Sequence, residues 1–172
     1  MLRVRNATAE DNHAIAQLGR TTFTETFGDL FITHPGNLES YLEATFAPAK
    51  LAASIAKRSN CFWVAEWDGT PIGYAKLKLE SRHPAVEGLN TAQLQKIYVL
   101  RDYLNCRAGK GLHDTLLRCA REECRDRLWL MALEGNRRAS DFYLRQGWQF
   151  AAKDKHRIGA QVFTYDVLSL TL

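Results

Sequence analysis

The chain has few of the residues that mark disulfide-rich, collagen-like or membrane-spanning proteins. It contains four cysteines, four prolines and two methionines in 172 residues. No apolar run approaches the roughly 20 residues that a membrane-spanning helix needs, and the first residues carry no apolar segment of the kind found in signal peptides. The cysteines show no Cys-x-x-Cys spacing, so the sequence predicts neither a zinc site nor a redox dithiol. They are Cys61, Cys106, Cys119 and Cys124. Free thiols and no signal peptide lead us to expect a cytoplasmic protein.

The charge surplus is small and is spread along the chain. Lys and Arg number 23 against 19 Asp and Glu, which gives a net charge of +4. Nucleic-acid-binding proteins concentrate basic residues on one face, so neither a nucleic acid nor a membrane is an expected partner. A length of 172 residues suits one domain with a good core and is short for two. We therefore expect a single domain over 1–172, with an anionic cofactor accounting for the surplus.

Hydrophobic periodicity predicts an alternation of strands and helices. The predicted strands are 2–5, 61–67, 72–79, 94–100, 128–133, 149–155 and 162–170. Helices are predicted from Thr8 to beyond Thr26, over 38–46, over 49–57, from Leu112 onward and over 137–146. Asp68-Gly69 predicts a hairpin, and the unit from Leu94 to Leu133 predicts one parallel pair. The expected fold class is α/β (α+β), a mixed and mostly antiparallel sheet of six to seven strands flanked by helices.

A short basic turn with two glycines stands immediately before a predicted helix. It reads Arg107-Ala108-Gly109-Lys110-Gly111 and runs directly into Leu112. The first N–H groups of a helix have no intrahelical partner and lie at the positive end of the helix dipole, so they favour a phosphate. Glycine lets the backbone approach a ligand closely, and Arg107 and Lys110 add two cations. The turn predicts a diphosphate site, against the alternative of a plain surface loop.

Two common phosphate-binding motifs do not fit this turn. Leu112 and His113 follow Gly111, so the chain lacks the Gly-Lys-Ser/Thr ending of a nucleotide-triphosphate loop. Asp114 occupies the position of the third glycine in the dinucleotide fingerprint. Both motifs are therefore disfavoured.

A second motif follows the predicted strand at 128–133. It reads Asn136-x-x-Ala139-x-x-Phe142-Tyr143-x-x-x-Gly147-Trp148, with a good N-cap residue at its start and a glycine stop at its end. Together with Ile97-Tyr98-Val99 and the basic turn, in this order, it resembles the GNAT superfamily of acetyl-CoA-dependent N-acetyltransferases. The family writes this motif Asn-x-x-Ala-x-x-Phe-Tyr-x-x-x-Gly-Phe, and Trp148 stands in place of its last residue.

The resemblance implies the acyl-CoA N-acyltransferase (GNAT) fold, acetyl-CoA as cofactor and no metal. It implies cofactor contacts from the central strand, the basic turn and the second motif. These residues are Ile97, Tyr98, Val99, Arg107, Ala108, Gly109, Lys110, Gly111, Leu112, Asn136 and Arg145. It also implies that Tyr143 protonates the departing thiolate, and a tyrosine with the ordinary pKa of about 10 is protonated at pH 7. The alternative for Tyr143 is a half-buried packing residue.

Within the superfamily, the closest resemblance is to the bacterial spermidine/spermine acetyltransferases. It is carried by Thr22-Phe23-x-Glu25-Thr26-Phe27-Gly28, Gln95-Lys96-Ile97-Tyr98-Val99 and Trp129-Leu130-x-x-Leu133-Glu134-x-Asn136. It implies a polyamine-like acceptor held by carboxylates and aromatic rings. The residues in question are Phe23, Glu25, Phe27 and Glu43, and the alternative is core aromatics with solvated acids. Cys106 stands where the family's turn begins with Gln or Arg, and Gln95 stands where the polyamine branch carries Glu.

Three functional hypotheses stay open. The first is an acetyltransferase for a small polyamine-like amine, and the second is the same catalyst with an amino acid, peptide N-terminus or aminoglycoside as acceptor. The third is a non-catalytic module that binds acyl-CoA. The candidate general bases are Glu134, Glu80 and the acids of the early helices, whereas His113 is expected to face core or solvent. A homodimer is a further expectation.

Overall fold

The computed structural model describes residues 1–172 and consists of seven strands, five α-helices and three single 3₁₀ turns. The strands are β1 (Leu2–Asn6), β2 (Asn60–Trp67), β3 (Thr70–Lys78), β4 (Thr91–Val99), β5 (Arg127–Leu133), β6 (Gln149–Ile158) and β7 (Gln161–Thr171). The helices are α1 (Asn12–Phe27), α2 (Pro35–Thr45), α3 (Pro48–Ile55), α4 (Ala108–Glu122) and α5 (Arg137–Arg145). The 3₁₀ turns are Ala9–Asp11, Gly28–Phe31 and Arg101–Tyr103. None of the helices is both long and apolar enough to span a membrane.

All seven strands belong to one sheet, in the order β1-β2-β3-β4-β5-β7-β6. Every neighbouring pair is antiparallel except β4 and β5, which are parallel. The predicted mixed sheet with a single parallel pair is therefore confirmed. The hairpin between β2 and β3 also forms at Asp68-Gly69, where both residues have positive φ angles of 48° and 83°.

The parallel pair at the centre of the sheet holds together over only three positions. Thr91, Ala92 and Gln93 pair with Arg127, Leu128 and Trp129. Beyond this point β4 continues against β3 alone, and β5 continues against β7 alone. The β3–β4 register also shifts by one residue at Gln95, which forms a bulge. The two central strands consequently separate, and a gap opens between their C-terminal halves.

The two faces of the sheet carry separate cores. On one face α4 and α5 cover a cluster that includes Leu112, Leu116, Leu130, Tyr143 and Trp148. On the other face α1, α2 and α3 cover a cluster that includes Ile15, Phe23, Phe31, Phe46 and Tyr74. The central gap lies between these two cores and is therefore bordered by both.

The predicted element boundaries were wrong at several points. Helix α4 begins at Ala108 rather than Leu112, so the glycines belong to its first turn. Strand β4 begins at Thr91, inside the predicted loop, and α1 begins at Asn12 after a 3₁₀ turn. Cys124 lies beyond α4 and is exposed, so the buried stripe of the helix is Ala108, Leu112, Leu116 and Ala120.

Candidate active site

The first turn of α4 presents backbone N–H groups that have no backbone acceptor. The first of these N–H groups to be bonded is that of Gly111, which donates to the carbonyl oxygen of Arg107 at 3.0 Å. The N–H groups of residues 108–110 make no such bond, and Arg107 gives no side-chain cap. Since they stand at the positive end of a 15-residue helix, these donors are chemically suited to an anion.

Arg107 holds an unusual backbone conformation immediately before this turn. Its φ angle is 64°, in the left-handed region that L-residues other than glycine rarely adopt. This conformation costs on the order of 1 kcal/mol. The chain therefore accepts strain at the residue that directs the free N–H groups of α4, and such strain is concentrated at functional sites.

The two glycines of the turn serve different purposes. A Cβ atom on Gly109 would meet nothing within 4 Å, so this backbone is open to a ligand. A Cβ on Gly111 would lie 3.3 Å from Val4 Cγ2 and 3.9 Å from Leu2 Cδ2. Gly111 thus allows α4 to pack closely on β1, whereas Gly109 leaves the approach to the free N–H groups unobstructed.

The side chains of the turn divide between solvent and core. Arg107 is exposed and forms no ion pair, while Lys110 Nζ lies 2.6 Å from Asp114 Oδ2, one helical turn on. Ala108 and Leu112 are fully buried in the core beneath α4. The accessible residues of the turn are therefore Gly109 and Lys110, and Arg107 is the free cation beside them.

The edge of β4 presents unpaired backbone groups to the central gap. The N–H of Leu100 donates to the carbonyl oxygen of Ile72 at 2.8 Å, so Leu100 faces β3. Backbone groups alternate in direction along a strand, and those of Ile97 and Val99 therefore point away from β3. Because β5 has separated from β4 at this level, their N–H and C=O groups face the gap and can pair with an extended ligand that carries amides.

Asn136 caps α5 at the far side of the gap. Its side-chain Oδ1 accepts a hydrogen bond from the N–H of Ala139 at 3.3 Å. Capping uses this oxygen and leaves the Nδ2 amide group as a donor. Arg145 ends the same helix and is exposed.

Tyr143 lies on the inner face of α5 and is more buried than a packing tyrosine with a solvated hydroxyl would be. Its exposed fraction is 8%. Burial raises the pKa of Tyr143 above its ordinary value, so the phenol stays protonated throughout the neutral range. Tyr143 is also one of the tyrosines close enough to raise the pKa of Tyr98 further, after burial itself. Tyr143 follows Asn136 on α5, the helix that begins directly after β5.

His113 joins α4 to α5, a role that sequence reasoning did not identify. It is fully buried, and its Nε2 accepts a hydrogen bond from Trp148 Nε1 at 3.0 Å. Its ring also lies edge-on to Phe142, with 5.6 Å between centroids. Burial lowers the pKa of His113, so the ring is neutral and suited to structural contact rather than to charge. Of the two environments expected for His113, core and solvent, the structure shows the core.

A small apolar pocket lies on the opposite face of the sheet, where β5 and the β6–β7 hairpin approach α1. Phe23 and Phe27, two of the residues predicted to contact the acceptor, are among its walls. The full lining is Phe23, Phe27, Leu30, Phe31, Leu133, Ile158, Phe163 and Tyr165. The last four come from distant segments and could not be assigned from local patterns. The ring of Phe27 also lies edge-on to that of Tyr98 on β4, with 6.5 Å between centroids.

The two predicted substrate-binding acids are not brought together at this pocket. Glu25 Oε2 accepts a hydrogen bond from the N–H of Arg101 at 3.0 Å, and the Arg101 guanidinium donates to the Glu25 carbonyl oxygen at 2.6 Å. Glu25 thus joins α1 to the segment after β4. Glu43 is exposed on α2.

The candidate general bases are similarly placed away from the pocket. Glu134 follows β5 and pairs with Lys153, which also contacts Asp166 at 2.9 Å. Glu80 is exposed after β3. The position of Glu134 at the end of β5 keeps it near the gap, but its charge is already compensated by Lys153.

Two lysines directly opposite each other form an unpredicted feature beside the gap. Lys76 and Lys96 are register partners on β3 and β4, on the face covered by α1. Lys76 Nζ lies 5.2 Å from the ring centroid of Phe62, and Lys96 Nζ lies 5.7 Å and 5.8 Å from those of Phe46 and Tyr98. Burial lowers the pKa of each lysine to about 8, with a further contribution from neighbouring lysines. The sequence signal for this pair was a lysine in the middle of each of two strands that also contain aromatic residues.

The chain belongs to the acetyltransferase (GNAT) family, whose model matches residues 21–148. An uncharacterised N-acetyltransferase of Lactobacillus delbrueckii subsp. lactis is 27% identical over 146 residues, which cover 85% of this chain and 83% of that protein. An uncharacterised N-acetyltransferase of Mycobacterium bovis is 27% identical over 127 residues, or 73% and 76% of the two chains. The chain is accordingly an acetyl-CoA-dependent N-acetyltransferase of the GNAT type.

Solved structures share the same fold at low sequence identity. The PaiA N-acetyltransferase of Thermoplasma acidophilum, solved with coenzyme A, matches with a TM-score of 0.80 and 19% identity over 100% of this chain and 99% of that one. A ribosomal-protein-alanine N-acetyltransferase of Brucella melitensis matches with a TM-score of 0.67 and 18% identity over 99% of both chains. These likenesses establish the fold. Because one fold can carry many different functional sites, the fold does not identify the acceptor, which depends on this chain's own residues.

Proposed function

We propose that this enzyme acetylates the primary amine of a small acceptor, with the cofactor diphosphate held at the first turn of α4 and the pantetheine arm lying along β4. The observation that carries the proposal is the combination of free N–H groups at residues 108–110 with a central gap bordered by the unpaired edge of β4. Arg107 adds a cation to the diphosphate site, and Asn136 Nδ2 is available to the arm from the other side of the gap.

Tyr143 is the proton donor in this proposal. Acetyl-CoA, when bound, supplies a thioester carbonyl that an amine can attack. The thiolate that departs needs a proton, and Tyr143 Oη holds one because burial raises the pKa of the phenol. Its neighbours Phe142 and Trp148 pack around the ring and limit its rotation, with ring centroids at 5.3 Å and 5.7 Å. The fold thus presents a protonated and oriented acid.

A polyamine-like acceptor is one candidate, implied by the resemblance to spermidine/spermine acetyltransferases. Phe23 and Phe27 in the apolar pocket support it, because aromatic faces attract alkylammonium groups. The predicted carboxylates give little support. Glu25 is already engaged with Arg101, and Glu43 is exposed on α2.

An amino acid or peptide N-terminus is the second candidate, and the lysine pair favours it. Like charges directly opposite in a sheet are destabilising, and Lys76 and Lys96 have aromatic rings rather than carboxylates beside them. A carboxylate on the acceptor would offset this cost and would be bound in return. A polycation would add to the repulsion. The lysine pair therefore favours an acceptor that carries a free amine and a carboxylate.

The test measures the turnover of acetyl-CoA with pairs of acceptors. The free thiol of coenzyme A, which each transfer releases, gives the rate. Each aromatic amino acid is compared with the amine that lacks its carboxylate, and spermidine is included. We expect each amino acid to react faster than the amine that lacks its carboxylate. Lys96→Met should reduce this rate ratio about tenfold, which corresponds to the loss of one charged hydrogen bond. The exposed Lys155→Met is the matched control. Faster turnover of spermidine in the unaltered enzyme contradicts the amino-acid assignment.

Binding and turnover are measured separately to distinguish the remaining hypothesis. Acetyl-CoA should raise the Tm of the protein, because a ligand that binds only the native state stabilises it. A rise in Tm without turnover of any amine favours the non-catalytic acyl-CoA-binding module. An unchanged Tm contradicts the cofactor site itself.

Location and assembly complete the proposal. We place residues 1–172 in one N-acetyltransferase domain of the cytoplasm, supported by four cysteines that are all free. A homodimer is proposed from the exposed Leu144 and Phe150, which show 54% and 58% of their surface at the end of α5 and the start of β6. Sedimentation of the purified protein tests the dimer.

A further inference from the structure

Two cysteine thiols from distant parts of the chain lie in contact on the far side of the molecule from the gap. Cys61 on β2 and Cys119 on α4 are separated by 58 residues, yet their sulfur atoms are 3.7 Å apart. Both are partly exposed and neither is in a disulfide. The packing of α4 on β2 brings the two cysteines together, so no Cys-x-x-Cys motif indicates the pair. The spacing of the cysteines in the sequence therefore could not predict this contact.

The thiol pair lines an open cavity of about 430 Å³. This volume is in the range of small-molecule sites in proteins. Its polar wall includes Arg118, Asn60 and Glu122 besides the two cysteines. The cavity is at the C-terminal half of α4 and the start of β2, so it is separate from the first turn of the same helix. Arg118 is exposed and forms no ion pair, which leaves its guanidinium free for a carboxylate.

We propose that Cys61 and Cys119 are a redox-active dithiol, which closes to a disulfide by reaction with low-molecular-weight disulfides that carry carboxylates and enter this cavity. The inference rests on the contact between the thiols and on the cavity beside them, and it does not depend on the acetyl acceptor. A small disulfide of this class can reach the sulfurs through the cavity, with its carboxylate on Arg118.

The reaction consists of two thiol–disulfide exchanges. The Cys61 thiolate attacks one sulfur of the small disulfide, and its S–S bond breaks to release one thiolate, which takes up a proton. Cys119 then loses its proton to solvent and attacks Cys61 Sγ in the mixed disulfide. The second small thiolate leaves and is protonated. The two protein thiols are oxidised together, and the small disulfide is reduced to two thiols.

The order of attack follows from the hydrogen bond between the thiols. The Cys119 thiol donates to Cys61, which lowers the pKa of Cys61 and raises that of Cys119. Cys61 is therefore the attacking thiolate and Cys119 the resolving thiol. Closing the bond requires the sulfurs to move from 3.7 Å to about 2.05 Å.

The test treats the folded protein with oxidised glutathione and counts free thiols. We expect the count to fall from four to two, with peptide mapping under non-reducing conditions locating the new bond between Cys61 and Cys119. Cys106 and the exposed Cys124 serve as internal controls and should remain reduced. The Tm should rise on oxidation and return with a reductant, because the bond closes a loop of 58 residues.

Two variants separate this pathway from general thiol exposure. Cys119→Ser should stop at a mixed disulfide between Cys61 and one glutathione. Arg118→Met should slow oxidation by glutathione disulfide but not by cystamine, a disulfide without carboxylates. Glutathionylation of Cys124 while Cys61 and Cys119 stay reduced contradicts the dithiol. Equal slowing with both disulfides contradicts the carboxylate site.

Discussion

The Tyr143 side chain is placed by three ring contacts that the sequence motif alone does not reveal. The motif identifies a helical tyrosine near a glycine stop. The structure adds that Trp148, Phe142 and the buried His113 surround its ring. His113 is in turn held by the indole N–H of Trp148. The candidate acid is thus fixed by residues from both α4 and α5, which explains how a flexible phenol can be oriented without a hydrogen bond to a second side chain.

Replacing Tyr143 with phenylalanine is expected to lower kcat while leaving the Kd for acetyl-CoA unchanged. The ring and its packing are kept, and only the proton donor is lost. General acid catalysis contributes roughly 10²–10⁴-fold, so we expect a loss of at least about 100-fold. Steady-state kinetics and calorimetry with acetyl-CoA measure the two quantities. Tyr103→Phe, outside the gap, is the control, and a variant with unaltered kcat removes Tyr143 from the acid role.

The lysine pair predicts an increase in stability between about pH 8 and pH 10. The folded-state pKa of Lys76 and Lys96 is about 8, whereas an unfolded lysine titrates near 10.4. Between these values the unfolded chain binds more protons than the folded chain, so the free energy of unfolding rises with pH. Below pH 8 both states are protonated, and the full cost of the buried charges remains.

Urea unfolding at pH 7.5 and pH 9.5 measures this effect. We expect Lys96→Met to be more stable than the unaltered protein at pH 7.5 by about 1 kcal/mol, a discounted value for a partly exposed charge. The difference should shrink at pH 9.5, where the lysine itself loses its proton. Lys155→Met should show no such pH dependence. A constant difference between the two pH values contradicts the depressed pKa.

Helix α4 shows why one turn carries so much of the site. Its buried stripe packs on the sheet, and Gly111 brings its first turn close to β1. This packing fixes the direction of the helix, whose N–H groups at residues 108–110 have no backbone acceptor. The anion site is therefore a property of the whole element rather than of the Arg and Lys side chains, one of which is paired with Asp114.

Gly109→Val is expected to weaken acetyl-CoA binding by at least about tenfold. The added side chain would occupy the open space through which a diphosphate reaches the free N–H groups, a loss of roughly 1.4 kcal/mol or more. Gly36→Val is a matched control, because Gly36 also lies in the first turn of a helix with nothing within 4 Å of its Cβ position. Calorimetry gives the Kd, and equal affinities for both variants contradict the diphosphate site.

Local patterns were enough to locate most elements but not their ends. The strand patterns of β2 and β3 and the Asp68-Gly69 turn between them depend only on residues close in sequence. The hairpin was therefore predictable. The start of α4 was not predictable, because Arg107 adopts a left-handed conformation that residues other than glycine rarely adopt. Strand β4 begins early because Thr91 pairs with Arg127, a contact between residues far apart in sequence.

The gap at the centre of the sheet is a property of the complete fold. It arises because β4 and β5 pair over three positions and are then held by different neighbours. No local pattern predicts where two strands separate. The same is true of the apolar pocket, whose walls come from α1, β5 and the β6–β7 hairpin, and of the contact between Cys61 and Cys119. Motifs therefore named the residues proposed for the cofactor, which lie in a few short segments, but not the walls of the apolar pocket.

Hydrogen–deuterium exchange with and without acetyl-CoA tests the central claim most directly, because it reports on the backbone groups that the proposal assigns to the cofactor. We predict slower exchange in the bound protein at the amides of residues 108–110 and at those of Ile97 and Val99, with the β6–β7 hairpin unchanged. Binding of acetyl-CoA that protects neither segment would contradict the account.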